Sequence, residues 1–224
     1  MIVSQNILLA KMYKIFLIIC LIFSWNTCID RTRSNPLDSQ TNLDASEWTP
    51  TNLEVEQLSV TQVKLTWEQD DHRIDGFMID RKINTENWEI GFASLPDTIF
   101  EFIDQEAVPL ATIQYQVKAI AGENESDPIA TSVDAEFPPP TGLSISQPNE
   151  LQLVLTWQDN SNGEDSYGID RKIDNSSWVN NFAQLDANTE NWTDETQEYG
   201  RPHHYRLSAF ANNVNSELVE SSIT

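Results

Sequence analysis

From about residue 50 to the end of the chain, apolar residues fall at alternate positions in short runs, and polar turns separate the runs. Val63, Leu65 and Trp67 alternate with Lys64 and Thr66. Phe77, Ile79, Arg81 and Ile83 share one face of the next run, and Met78, Asp80 and Lys82 share the other. Further on, Ile113, Tyr115, Val117 and Ala119 alternate with Gln114, Gln116 and Lys118. A period of two marks a half-buried strand, because successive side chains of an extended backbone point to opposite faces. No helical spacing competes with it. The pattern predicts strands only, short and evenly spaced.

The runs recur. Ile79-Asp80-Arg81-Lys82-Ile83 returns unchanged as Ile169-Asp170-Arg171-Lys172-Ile173, an offset of 90 residues (169 minus 79). Residues 50–134 align with 140–224 without a gap. Pro50-Thr51-Asn52-Leu53 matches Pro140-Thr141-Gly142-Leu143, and Leu65-Thr66-Trp67 matches Leu155-Thr156-Trp157. Trp88, Phe92 and Leu95 match Trp178, Phe182 and Leu185. Phe102-Ile103-Asp104 matches Trp192-Thr193-Asp194, Tyr115 matches Tyr205, and Ser126 matches Ser216. This is an internal duplication, and each copy is one domain of ordinary size. About seven strands per copy, with no helix and no cysteine, predict an all-β fold of two tandem sandwiches. Trp67 and Trp157 lie on apolar faces and read as core anchors. Ile79 and Ile83 point to the core. Arg81 reads as an edge residue with a packed stem and a head in water. Asp80 and Lys82 read as a loose pair on the wet face, worth ~0–1 kcal/mol.

The order Pro-x-x-Leu, Leu-Thr-Trp, Ile-x-Arg, Phe/Trp-x-Asp, Tyr-x-Val/Leu-x-Ala, then Ser resembles the fibronectin type III domain, most closely the versions in bacterial exported proteins. The resemblance covers residues 48–224. It implies two seven-stranded immunoglobulin-like β-sandwiches. The chain departs from the family at one point. The family's tyrosine six residues before the alanine of the sixth strand is replaced by Ile113 and His203, and Tyr115 and Tyr205 stand two residues later.

The first 47 residues break the pattern. Lys14 precedes an unbroken apolar run from Ile15 to Phe23. A positive start and a short apolar core make a signal peptide, too short for a spanning helix of ~20 residues. Met12 offers an internal start. Cys28 follows the apolar core at the position where a bacterial lipoprotein signal carries its lipidated cysteine. Trp25, Asn26 and Thr27 replace the aliphatic and small residues usual before it. Lipidation at Cys28, ordinary cleavage nearby and an uncleaved anchor all remain open. Ile29 to Glu47 is polar and aperiodic, as a flexible tether would be. The expected organisation is a signal peptide over 1–28, a linker over 29–47, a first domain over 48–136 and a second over 137–224. Phe137-Pro138-Pro139-Pro140 joins the domains as a short, stiff connection.

The formal net charge of −22 repels nucleic acid and anionic lipid heads, so no nucleic-acid partner is expected. Cys20 and Cys28 are the only cysteines, so neither repeat can hold a disulfide and both must be held by packing. No pattern of a nucleophile elbow, zinc-protease helix or phosphate-cradling loop is present. His203 and His204 are adjacent on a strand and point to opposite faces, so they cannot chelate one metal together. Asp159-Asn160-Ser161-Asn162-Gly163-Glu164-Asp165 has calcium-loop composition but the wrong spacing, since position 12 of such a loop would fall on Ile169. Turn chemistry explains it better. Asn124, Asn175 and Asn191 head glycosylation sequons. No catalytic, cofactor-binding or metal residues are expected, and the chain reads as no enzyme. The expected function is that of an exported or cell-surface monomer, secreted or held by a lipid or signal anchor, which acts as a spacer or as a protein- or glycan-binding adhesion module. The alternative is the N-terminal accessory region of a larger secreted enzyme, such as a hydrolase, with its catalytic module beyond residue 224.

Overall fold

The structure is a computed structural model and describes residues 44–224. The expected signal peptide and Cys28 lie outside the described residues. The described chain begins within the stretch assigned to the linker. Ala45–Trp48 forms a 3-10 turn capped by Asp44, whose carboxylate accepts from the Ser46 amide. The Ala45 carbonyl accepts from the Asp127 amide at 3.2 Å. Trp48 is buried in the first core.

Eight ladder segments follow: β1 Thr51–Ser59, β2 Gln62–Glu68, β3 Gly76–Ile83, β4 Glu89–Pro96, β5 Glu101–Asp104, β6 Thr112–Ala121, β7 Asn124–Glu125 and β8 Ile129–Asp134. They make two sheets. One has the order β1-β2-β5; the other runs β4-β3-β6, with β7 and β8 both pairing β6. The second copy repeats this with β9 Thr141–Asn149, β10 Gln152–Gln158, β11 Ser166–Ile173, β12 Val179–Asp186, β13 Asn191–Asp194, β14 His203–Ala211, β15 Val214–Asn215 and β16 Val219–Ile223. Its sheets are β9-β10-β13 and β12-β11-β14, the latter with β15 and β16 on β14. The all-β fold of two tandem sandwiches is as the period-2 pattern requires.

The alternation is nearly perfect where it matters. Val63, Leu65 and Trp67 of β2 are buried, as are Ile113, Tyr115, Val117, Ala119 and Ala121 of β6. Each fully buried large side chain contributes roughly 1.5–3 kcal/mol. Trp67 meets Phe77 edge to face at 5.3 Å, and Trp157 leans on Tyr167 at 5.8 Å. Both tryptophans are the core anchors expected.

The seventh strand is β8, and a two-residue pairing, β7, precedes it. Ser126 sits at the gap between β7 and β8. Its amide donates to the Ala119 carbonyl at 3.0 Å. Its hydroxyl accepts from the Ala119 amide at 2.9 Å and donates to the Asp127 carbonyl. A side chain thus replaces a ladder bond where the strand leaves the sheet. Ser216 does the same for Ala209. Ser126→Ala would leave the buried Ala119 amide without an acceptor. The expected cost is about 1–3 kcal/mol in urea denaturation. A change below about 0.5 kcal/mol would show that the amide finds another partner.

The two copies meet at more than the prolines. Val60, in the β1–β2 turn, is buried in the second core together with Phe137. The Val60 amide donates to the Asn162 carbonyl at 2.9 Å, and Asn162 Nδ2 donates to the Leu58 carbonyl. Gly163 is needed beside it. Its φ is +89°, and a Cβ there would lie 3.0 Å from Ser59 Oγ.

Candidate functional site

The Ile-Asp-Arg-Lys-Ile segment is the longest stretch that the two copies share unchanged. Its charges are all engaged inside their own domain. Arg81 is not an edge residue with its head in water: it is buried, with 7% of its surface exposed. Nη1 donates to both carboxylate oxygens of Asp104 at 3.1 and 3.0 Å. Tyr115 donates its hydroxyl to Asp104 Oδ2 at 2.7 Å. The guanidinium carbon lies over Phe92, 3.7 Å from the ring centre. In the second copy Arg171 and Tyr205 donate to Asp194 Oδ2 at 2.6 and 2.7 Å, and Arg171 lies over Phe182 at 3.7 Å. Arg81, Asp104 and Tyr115 are a buried triad that ties the two sheets together, since Asp104 is on β5 and its partners are on β3 and β6. The tyrosine two residues late is the one that makes the cross-sheet bond.

Asp80 does not pair with Lys82 on a wet face. It is buried, accepts from the Gly91 amide at 2.8 Å, and faces Lys118 at 3.1 Å. That amide belongs to a bulge in β4, where the register slips between Ile79 and Arg81 and Gly91 takes φ +71°. Asp170 caps the matching bulge in β12 by accepting from the Asn181 amide at 2.9 Å. A bulge twists an exposed edge and discourages further strand pairing. Lys82 and Lys172 lie over Trp88 and Trp178. Asp75 accepts from the Gly122 amide, and Asp165 from the Asn212 amide.

The remaining candidates are structural too. His203 is buried; its Nδ1 faces the Arg201 carbonyl at 2.7 Å, and its Nε2 accepts from the Glu198 amide at 3.1 Å. The amide fixes Nε2 as the acceptor, so Nδ1 carries the proton, and no lone pair is left for a metal. His204 points to the opposite face and His72 is exposed. In the Asp159–Asp165 loop, Asp159 accepts from Ser161 and from the Tyr167 hydroxyl, and Glu164 accepts from Ser161 and the Asn188 amide. Among the described residues no cluster of metal-ligating side chains forms.

The copies part on the outer face of the larger sheet. In the first copy Met78 stands beside Lys118, and Lys118 reaches Asp80 and Glu125, the latter at 2.9 Å. These side chains cover the face. In the second copy Gly168 and Ser208 take their places. Asp170 is met from the next register position by Arg206 at 2.9 Å. A groove of 760 Å³ opens over Gly168 and Ser208, with Asn180, Asn181 and Gln184 on one wall and Phe210, Asn215 and Leu218 on the other. Sequence reasoning passed over this groove. Its signal was a pair of small residues, Gly168 and Ser208, in place of Met78 and Lys118.

No protein-family model matches the chain, and no curated protein matches it. Among solved structures it is similar to a two fibronectin type-III domain segment from chicken tenascin, at 17% identity and a TM-score of 0.44, over 78% of this chain and 98% of that one. It is similar to the chicken CNTN1 FN1-FN3 domains at 15% identity and a TM-score of 0.38, over 78% of this chain and 65% of that one. A computationally redesigned β-sandwich protein is similar over 39% of this chain, at 19% identity and a TM-score of 0.36.

Proposed function

We propose that the chain is a non-catalytic tandem module of the cell exterior, a two-sandwich spacer that presents a binding face to a protein or glycan partner. The observation that carries this reading is the fate of the duplicated charges. Asp75, Asp80, Arg81, Lys82 and Asp104 recur at Asp165, Asp170, Arg171, Lys172 and Asp194. Each of them caps a loop or bulge, stacks on a tryptophan or joins the buried triad. The duplication kept a scaffold and let the outer faces diverge. Catalysis would need titratable groups converging in a cleft, and the retained ones converge in cores and turns instead.

Export rests on Lys14, the apolar run Ile15–Phe23 and Cys28. Lipid attachment there would give a membrane-anchored lipoprotein, and cleavage nearby a secreted chain. Mass spectrometry of the chain purified from its native host tests this. The expected mature N-terminus lies at or near Cys28, with the added mass of acyl chains if it is anchored. A chain that retains its first residues and fractionates with the cytosol would overturn the reading.

A further inference from the structure

We propose that the outer face of the second sandwich is a saccharide-binding groove, a role that the first sandwich has closed off. The inference rests on the reading of the chain as a binding module and names the chemistry of its ligand.

The groove is built in rows across three strands. Gln184, Gly168 and Ser208 stand side by side on β12, β11 and β14. Ser166 and Phe210 form the neighbouring row, with Asn215 next to Phe210 on β15. The floor is therefore glycine and two serine hydroxyls, and the walls carry four carboxamides: Asn180, Asn181, Gln184 and Asn215. A carboxamide offers one acceptor and two donors in a plane without net charge. Several around one trough suit a ligand whose surface is dense in hydroxyls that both donate and accept. Phe210 and Leu218 supply an apolar strip for the C–H face of a sugar ring.

Charge points the same way. Asp170 and Arg206 neutralise each other at one end. Arg206 is further held by stacking on Trp178 at 4.0 Å, and its buried Nε–H has no hydrogen-bond partner. Glu217, which also lines the groove, and the net charge of −22 on the whole chain disfavour an anionic ligand. Sites for apolar small molecules are lined mostly by hydrophobic side chains, whereas ten of the thirteen residues around this groove carry polar side chains. The volume of 760 Å³ lies in the upper part of the ~300–1,000 Å³ typical of ligand sites, enough for more than one ring. A neutral oligosaccharide meets all these conditions.

The first copy supplies its own control. Met78 and Lys118 occupy the same register positions in a sandwich that folds. Gly168 has no positive φ, and a Cβ there would meet Asn181 Oδ1 at an ordinary 3.7 Å. Gly168→Met with Ser208→Lys should therefore fill the groove without unfolding the domain, which circular dichroism and the unfolding midpoint would check. The full chain is titrated by calorimetry and NMR with maltotriose, cellotriose, chitotriose and mannotriose, each to about 10 mM. At least one is expected to bind, with shifts at Asn180, Gln184 and Ser208, and the filled variant is expected to lose about tenfold or more in affinity. Lys118→Ser, in the first copy, should leave that affinity unchanged. Failure of all four sugars to bind, or equal binding by the folded double variant, would overturn the proposal. The titration uses purified chain, so its outcome is independent of whether the N-terminus is processed.

Discussion

Replacing Asp194 by alanine is expected to cost the second sandwich about 2–5 kcal/mol, because it leaves the half-buried Arg171 guanidinium and the buried Tyr205 hydroxyl without their shared partner. A domain of this size has roughly 5–15 kcal/mol in all, so the variant gives up a large share of its stability and its urea midpoint should fall well below the parent's. Urea denaturation of the full chain measures it as the early loss of one of two transitions. A midpoint within error of the parent would mean that water or a neighbour replaces the carboxylate.

The same triad sets a pH window. Burial raises the pKa of Asp194, but bonds donated by Tyr205, Arg171 and Thr196 outweigh it and hold the carboxyl below its ordinary value. A depressed carboxyl stabilises the fold above its unfolded pKa of about 4, and that contribution fades as pH falls through the folded value. Tyr205 behaves oppositely. Burial, then the bond to Asp194 and its negative charge, push the phenol well above its ordinary value. A raised phenol stabilises the fold below its unfolded pKa of about 10, and that contribution is lost at higher pH. Stability of the second sandwich should therefore be flat between about pH 5 and 9 from this source and fall on both sides. Tyr205→Phe is expected to flatten the alkaline limb and to shrink the acid limb as well, because it removes the first of the bonds that hold the Asp194 carboxyl down.

Trp67→Ala is expected to cost the first sandwich about 3–5 kcal/mol through lost burial and the cavity it opens. Trp67→Phe should cost markedly less, under about 2 kcal/mol. Trp67 Nε1 is buried without a hydrogen-bond partner, an arrangement that costs about 1–3 kcal/mol and that both variants remove. Phenylalanine costs less than alanine because it leaves a smaller cavity and keeps an aromatic edge toward Phe77. Equal losses for the two variants would show that an aromatic ring at this position adds no packing. Trp157 Nε1 is likewise without a partner, so the second sandwich should repeat the result.

The buried triads show why some of this was legible in advance and some was not. Arg81, Asp104 and Tyr115 all stand on inward faces by simple alternation, and all three recur at the same offset. An arginine and an aspartate on apolar faces, both kept in both copies, are a pair waiting to be matched. Read one strand at a time, Arg81 looked like a surface residue. Its partner lies 23 residues away on the opposite sheet, and only the stacking of the sheets brings them together.

The sequence by itself determined the strands, the two-copy organisation and the tryptophans at the cores, because the period of two and the offset of 90 residues are local or repeated properties of the chain. The tertiary structure alone decided what the charges do. It set the Arg–Asp–Tyr bridges, the aspartate caps on the edge bulges and the insertion of Val60 into the second core. It also opened the groove over Gly168 and Ser208. These depend on which residues become neighbours across strands and sheets, and sheet pairing and packing fix such neighbours after the local pattern has fixed the strands.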